Sequence, residues 1–361
     1  MTLKAASLPA KRKNGLSDAQ LLMFIAIGIF VVMYAGAMIL LGGAFLKTQQ
    51  AFDLLAENAA LIIVSCGLTI VMIGGGIDIS VGGVISFTVM SCALFLNNEA
   101  LKESPFAIVL TLLLALGIGL AFGTLHGFLI SYMEIQPFIV TLAGMFLSRG
   151  LTTMLSIDPV KVNHPAFSQL VKTKLEFPFL GYTAKNGNII PARLGIGAIV
   201  AVCIVIIVYL MLRFVRLGRN VYAMGGNQQS ALMLGINVKR TRFLTYLISG
   251  LLSGIAGFVF LMYKPAGNAS VATRTEMDAI ASSIIGGTLL TGGVGNVIGT
   301  FFGTLILATI QKIIALSPLN ESWWQEMASG AILGLFIILQ SVILSNRGKH
   351  KKAEEHAAAK E

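Results

Sequence analysis

Two glycine-rich segments carry most of the residues that could act on a small solute. The first, residues 74–83, contains Asp78 and Ser80, and the second, residues 286–296, contains Thr288. Each segment joins two short apolar runs. Backbone groups freed by a break at membrane depth must line a cavity or be buried in protein. The pattern therefore indicates a passage for a polar solute.

The ionisable residues near these segments do not form a catalytic set. An acid at membrane depth, such as Asp78, is functional by default, but a role as the cap of the helix that follows is favoured. His126 is one histidine in an apolar run, and a packed, hydrogen-bonded role is favoured over a proton relay. No nucleophile, base and acid occur together, so we expect no catalytic residue and no enzyme activity.

Cofactors and metals are not expected. The chain contains no Gly-x-x-x-x-Gly-Lys-Ser/Thr motif, so it cannot hold ATP in a Walker A loop. The three cysteines, Cys66, Cys92 and Cys203, lack the spacing of a metal site or a disulfide framework. Energy for transport must come from a partner or from a gradient.

The composition requires a membrane. Hydrophobic residues make up 56% of the 361 and charged residues 12%, whereas soluble domains are about 25% charged. A span needs about 20 apolar residues, and the sequence predicts an all-α integral membrane protein of about ten transmembrane helices. The apolar runs are 20–46, 57–74, 79–97, 106–130, 137–156, 193–213, 243–263, 279–294, 296–316 and 324–345.

Basic residues next to these runs predict the orientation. An even number of spans places both termini on one side, and the lysines and arginines of residues 4–13 and 347–352 make that side the cytoplasm. The net charge of +10 is therefore a topology signal, and nucleic-acid binding is not expected. The predicted regions are a cytoplasmic tail (1–19), a permease domain (20–345) with an extracytoplasmic segment (157–192) and a cytoplasmic coupling loop (214–242), and a basic, polar cytoplasmic tail (346–361).

The two glycine breaks, one in each half, suggest an inverted repeat of two five-helix halves. The alternative is nine or eleven spans, with 279–294 as a half-helix or re-entrant segment. Glycines four residues apart predict close helix packing. These glycines are Gly119, Gly123 and Gly127, Gly250 and Gly254, Gly299 and Gly303, and Gly330 and Gly334.

The sequence of the coupling loop predicts a short helix. Asn227 can cap its start and Gly235 can end it, which leaves about two turns between them. Such a helix could dock into a groove on a cytoplasmic protein or lie on the lipid interface.

Several motifs resemble the ribose-type permeases of bacterial ABC sugar importers, and the likeness covers nearly all of residues 20–345. The motifs are residues 75–82 (GGIDISVG), 136–144 (QPFIVTLAG), 218–227 (GRNVYAMGGN), 276–281 (EMDAIA) and 285–288 (IGGT). Asn163-His164-Pro165 and Ser322-Trp323-Trp324 make the chain most similar to the galactofuranose-type permeases. Ile79 and Met277 replace leucines of the family pattern and keep its apolar character.

The resemblance implies an inner-membrane importer of a monosaccharide, a pentose or hexose, including furanose forms such as galactofuranose, ribose or fructose. It implies a cytoplasmic ABC ATPase, a second permease subunit (identical or related), an extracytoplasmic sugar-binding protein and membrane lipid as partners. The alternative is a gradient-driven secondary transporter of a small polar solute.

The resemblance also assigns residues to two roles. The segment that would couple to the ATPase is Asn227, Gln228, Gln229, Ser230, Ala231, Leu232, Met233, Leu234 and Gly235. We expect the translocation pathway near Gly75, Asp78, Ser80, Gly82, Phe138, Thr141, Gly286, Gly287 and Thr288.

Overall fold

The computed structural model describes residues 18–42, 45–101, 104, 106–183, 189–317 and 322–358, and these residues form fourteen α-helices. The helices are α1 (Asp18–Leu41), α2 (Thr48–Glu57), α3 (Ala59–Ile73), α4 (Val81–Leu96), α5 (Ala107–Ser131), α6 (Pro137–Leu155), α7 (Pro165–Lys172), α8 (Ile196–Phe214), α9 (Arg216–Gly226), α10 (Gln228–Met233), α11 (Val238–Tyr263), α12 (Thr275–Ile285), α13 (Val297–Leu316) and α14 (Ser322–Ala358).

Seven of the described helices are long and apolar enough to cross a membrane: α1, α5, α6, α8, α11, α13 and the part of α14 from Trp323 to Val342. An eighth span arises if α2 and α3, which meet at 57°, are taken as one broken helix. The predicted class, an all-α membrane protein with short or broken helices, is confirmed.

All ten predicted apolar runs contain a helix, but three of these helices are short. Helix α3 has 15 residues, α4 has 16 and α12 has 11. At 1.5 Å per residue they rise about 16–24 Å, less than the ~30 Å of hydrocarbon. Helix α12 ends at Ile285, and residues 286–296 follow without regular helix. The half-helix alternative therefore describes residues 279–294 better than a full span.

Two small sheets were not predicted from the sequence. Strands β2 (Lys174–Thr183) and β3 (Ile189–Gly195) form an antiparallel hairpin in the polar connection before α8. Strands β1 (Val160–Lys161) and β4 (Ala266–Gly267) pair across a long sequence separation. The connection is polar, and its strands lack a clear alternation of apolar and polar residues, so the strand signal in the sequence is weak.

The centre of the bundle is α3. Fourteen of its 15 residues are buried, from Ala59 to Ile73, under α8, α11, α12 and α13. A helix that is apolar on all sides is buried on all sides, and α3 fits this rule. The break that ends α3 therefore starts from the buried centre of the bundle, and its residues from Asp78 to Ser80 are buried as well.

Glycines bring α5 and α11 into backbone contact. A Cβ on Gly119 would overlap the carbonyl oxygen of Gly250, and a Cβ on Gly250 would overlap that of Gly119. Gly123 and Gly254 lie in the same interface, and Gly299 and Gly303 pack against the end of α12 in a similar way. An added Cβ on Gly330 or Gly334 would meet no described atom within 4 Å, so the packing predicted for these two is not made within the described chain.

The predicted tails are only partly covered. Residues 1–17 of the N-terminal tail and residues 359–361 lie outside the described residues. The C-terminal tail predicted from residue 346 continues α14 as far as Ala358.

The α5–α11 contact gives a matched pair of substitutions. We expect Gly119→Leu to lower stability by about 1–3 kcal/mol or to prevent folding, because the side chain must push apart two backbones. Gly117→Leu changes the same residue types in the same helix, where an added Cβ meets no described atom within 4 Å, and it should leave stability unchanged. Thermal unfolding in detergent measures both; equal Tm values would contradict this packing.

Candidate functional site

The first break begins where α3 ends. The amides of Gly75 and Gly76 turn back to the carbonyls of Met72 (2.9 Å) and Val71 (3.0 Å). Gly75 has a φ of +79°, a left-handed conformation that glycine adopts without the cost imposed by a Cβ. The backbone then runs without helix to Val81, where α4 starts.

Asp78 lies at the centre of a buried polar cluster, the Asp78 cluster, formed by Asp78, Ser80, His126 and Ser249. The carboxylate is 1% exposed. Its Oδ1 accepts hydrogen bonds from the Ser80 amide (3.1 Å) and hydroxyl (2.6 Å), and its Oδ2 accepts one from the Ser249 hydroxyl (2.7 Å). The cluster therefore links the break to α11.

Asp78 does not cap α4 in the expected way. Its Oδ1 accepts a hydrogen bond from the amide of Ser80, the N-cap residue, and the Ser80 side chain makes no capping hydrogen bond to α4. The second carboxylate oxygen, Oδ2, accepts the hydrogen bond from Ser249 of α11. In this conformation Asp78 holds the first break in place against α11.

His126 extends the cluster to α5. Its Nδ1 lies 3.2 Å from the Ser80 hydroxyl. Its Nε2 faces Gly144 of α6, where an added Cβ would overlap it, and it has no hydrogen-bond partner among the described residues. The ring is packed and hydrogen-bonded through one nitrogen, as the sequence favoured.

The second break follows α12 and contains three glycines with positive φ: Gly287 (92°), Gly292 (84°) and Gly293 (74°). It ends at Asn296, whose side chain caps α13 by accepting the amide of Ile298 at 2.9 Å. Thr288 is fully buried within this break, and its hydroxyl has no hydrogen-bond partner among the described residues.

The two breaks meet each other and the end of α9 at a backbone contact, the glycine junction, formed by Gly75, Gly225, Gly226, Gly292 and Gly293. The Gly293 amide donates to the carbonyl of Ile73 at 2.8 Å. A Cβ on Gly292 would lie 2.9 Å from the Gly75 Cα and 3.0 Å from the Gly225 oxygen.

Helix α9 completes the junction. A Cβ on Gly225 would overlap the Ile73 carbonyl oxygen, and a Cβ on Gly293 would lie 2.7 Å from the Gly226 Cα. Nearby, the Tyr222 hydroxyl donates to the Gly295 carbonyl at 2.8 Å. Three separate parts of the chain are therefore in contact mainly through backbone atoms.

The short helix predicted after Asn227 is present as α10, directly after the junction. The Asn227 side chain accepts the Ser230 amide at 2.9 Å, and Gly235 ends the helix with a φ of +78°. Ala231 is buried beside Met224 and Val238. The following side chains are exposed: Leu232 by 53%, Met233 by 89% and Leu234 by 78%.

Polar contacts hold α10 and the start of α11 in place. The Arg242 guanidinium of α11 donates to the Gln228 side chain at 2.7 Å. At the start of α11, the Lys239 ammonium is 2.7 Å from the Glu134 carboxylate in the α5–α6 turn. The hydrogen bond and the charge of Lys239 lower the pKa of Glu134.

The remaining predicted pathway residues are dispersed. The Thr141 hydroxyl bonds back to the Pro137 carbonyl at 2.9 Å, and Phe138 is about half exposed. Gly286 packs on Gly299, and Gly82 lies against Glu276. In this conformation the structure groups Asp78 with Ser80 and Gly75 with the second break, but it does not gather all of these residues around one open cavity.

The sequence reasoning missed Ser249 and Glu276. Glu276 is nearly buried, and its Oε2 lies 3.7 Å from the Arg149 guanidinium, which also donates to the carbonyls of Val271 and Ala272. Ser249 and Glu276 lie more than 120 residues from their partners Asp78 and Arg149, so local spacing carried no signal. Arg274 and Asp278 stand within two residues of Glu276, so the sequence does not single out this acid.

Comparison with known proteins matches the chain to transport permeases. The family described as "Branched-chain amino acid transport system / permease component" matches residues 50–339. The inner membrane ABC transporter permease protein YjfF of Escherichia coli K12 is 39% identical over 90% of this chain and 94% of its own length.

Two further relatives are named for a sugar. The fructose import permease protein FruG of Bifidobacterium longum is 32% identical over 97% of this chain and 99% of its own. The ribose import permease protein RbsC of Escherichia coli K12 is 30% identical over 84% and 87%. Because the family model covers most of the chain and these relatives align along most of both sequences, the chain belongs to this family of ABC importer permeases.

Proposed function

We propose that the chain is the membrane-spanning subunit of an ABC importer that carries a monosaccharide across the inner membrane. The relatives named for fructose, xylose and ribose support a sugar cargo. A pentose or hexose, including a furanose form such as galactofuranose, fits this range. A separate ABC ATPase would hydrolyse the ATP, and an extracytoplasmic sugar-binding protein would deliver the cargo to this subunit and a second permease, identical or related.

The glycine junction is the observation that carries this proposal. Helix α10 is the coupling helix, and Leu232, Met233 and Leu234 form the apolar surface that enters a groove of the ATPase. Because Gly225 and Gly226 immediately precede α10 and contact both breaks, a displacement of α10 moves backbone at both breaks. Rigid movement between discrete arrangements is how such transitions are transmitted.

The orientation follows from charge. We place α9 and α10 on the cytoplasmic side, because the six arginines and lysines from residue 213 to residue 242 occur without an acidic residue. We place both termini on the same side because of the basic residues of 4–13 and 347–352. A gradient-driven transporter would have no need for the exposed surface of α10, so the ABC mechanism is favoured over the secondary transporter.

The pathway itself opens in another conformation. Separation of the breaks would expose the hydrogen-bonding groups of Asp78, Ser80 and Thr288 to a sugar, with Phe138 and Thr141 nearby on α6. Ligand sites formed by discontinuous helices are typical of transporters. The meeting of one break from each half supports two inverted repeats of five helices.

The coupling surface gives the first test. Met233→Asp should abolish transport and co-purification of the ATPase, because a charge replaces an apolar side chain at the docking surface. Folding should be unaffected, since Met233 is 89% exposed. Ile157→Asp, at an exposed apolar position on the opposite end of the bundle, is the control and should retain the ATPase. ATPase binding by Met233→Asp at the level of the control would refute the coupling role of α10.

The Asp78 cluster gives a second test with a matched control. Ser249→Ala removes the hydroxyl that donates to Asp78, and it should lower stability by about 1–2 kcal/mol and slow transport. The Ser253 hydroxyl, one turn along α11 and equally buried, bonds only to the Ser249 carbonyl of its own helix. Ser253→Ala should therefore have a smaller effect on Tm and sugar uptake. Equal effects of the two substitutions would show that the link to Asp78 is unimportant.

A further inference from the structure

A second polar feature lies apart from the breaks, at the end of the bundle that we propose faces the cytoplasm. A cavity of about 470 Å³ lies between the start of α1, the end of α8 and the start of α13, and α9 lines its remaining side. Its polar lining comes from Gln20, Tyr209, Arg213, Arg219, Tyr222 and Asn296.

The described side chains that line this cavity carry a positive net charge. Among the side chains described for its wall, two are arginines and none is acidic. Arg213 donates one hydrogen bond to the Tyr209 hydroxyl (2.9 Å), and Arg219 donates one to the Phe214 carbonyl (3.2 Å). A guanidinium has five N–H donors, so both retain donors for an anion. The start of α13 at Val297 adds the positive end of a helix dipole.

The surface that continues from the cavity is apolar. Ile206 and Leu210 lie three residues before Tyr209 and Arg213 and are exposed on the same side of α8. Ile207 and Phe214 of the same helix are also exposed. The expected ligand therefore has a phosphate-bearing head and long apolar chains, which a free phosphate ion lacks.

We propose that this cavity binds the headgroup of an anionic phospholipid, with the phosphate between Arg213 and Arg219 and the acyl chains along Ile206 and Leu210. Basic pockets between helices on the cytoplasmic side are typical of such sites. The proposal goes beyond sugar transport and uses the proposed orientation only to choose the leaflet. The Tyr222 hydroxyl in the same cavity bonds to Gly295 of the second break, so the lipid would stabilise the contact of α9 with that break.

The test measures lipid retention by native mass spectrometry of the purified full-length chain, equilibrated with phosphatidylglycerol and phosphatidylcholine in equal amounts. The wild type should retain phosphatidylglycerol at least about tenfold over phosphatidylcholine, which corresponds to about 1.4 kcal/mol. The double variant Arg213→Gln/Arg219→Gln should lose this preference. Arg216→Gln, an exposed arginine between them that does not line the cavity, should keep it.

The experiment includes one further variant and one competition with inorganic phosphate. Gln20→Glu places a negative charge in the cavity without removing an arginine, and it should also weaken phosphatidylglycerol retention if the double variant does not fold. Inorganic phosphate should not displace the bound lipid, because it lacks the acyl contacts. Equal retention by the double variant and Arg216→Gln would overturn the proposal. Displacement by millimolar phosphate would also overturn it. A double variant that keeps the lipid preference but no longer co-purifies with the ATPase would overturn it too, because the two arginines would then serve the ATPase and not a lipid.

Discussion

A backbone carbonyl or amide that leaves a helix inside a membrane has no water to bond, and this constraint explains the centre of the structure. Helices α3 and α12 both stop short of a full span, and the groups freed at their ends are satisfied largely by local turns and by each other. The hydrogen bond from Gly293 to the carbonyl of Ile73 joins the two breaks. Only glycine permits the positive φ and the close approach required at this position.

The polar side chains near the breaks act mainly between helices. Asp78, Ser80, His126 and Ser249 join the first break to α5 and α11. On the other side of α3, the hydroxyl of Thr69 lies 2.7 Å from that of Thr300 and 3.0 Å from that of Ser283. Such groups hold one arrangement of the bundle in the absence of a hydrophobic driving force, and they could exchange partners in another arrangement.

The sequence predicted the class of the protein, the position of both breaks and the short helix after Asn227, because these depend on local composition and on glycine and asparagine at helix ends. It left open whether residues 279–294 form a full span or a half-helix, since the apolar run continues past the end of α12 at Ile285. It gave no indication that Gly225 lies against Ile73 or that Ser249 bonds Asp78, because both contacts join residues more than 150 positions apart.

Two hydroxyl groups predicted for the pathway are not free to bind a sugar in this conformation. Thr141 and Thr288 were chosen for their hydroxyl groups, yet one hydroxyl bonds within its own helix and the other is buried without a described partner. A residue type indicates what a side chain can bind, whereas the conformation decides whether a sugar can reach it. The contact between α9 and the breaks is less dependent on residue type, because it is made by backbone atoms.

The central claim is that α10 acts on the breaks through this backbone contact. Gly225 and Gly226 test it directly, because a Cβ on Gly225 would overlap the Ile73 carbonyl oxygen, while a Cβ on Gly226 would meet no described atom within 4 Å. The measurement is sugar uptake and ATP hydrolysis by the assembled importer in proteoliposomes. Gly225→Ala should retain ATPase binding and hydrolysis but lose most of its uptake, and Gly226→Ala should transport like the wild type. Wild-type uptake by Gly225→Ala would contradict the claim.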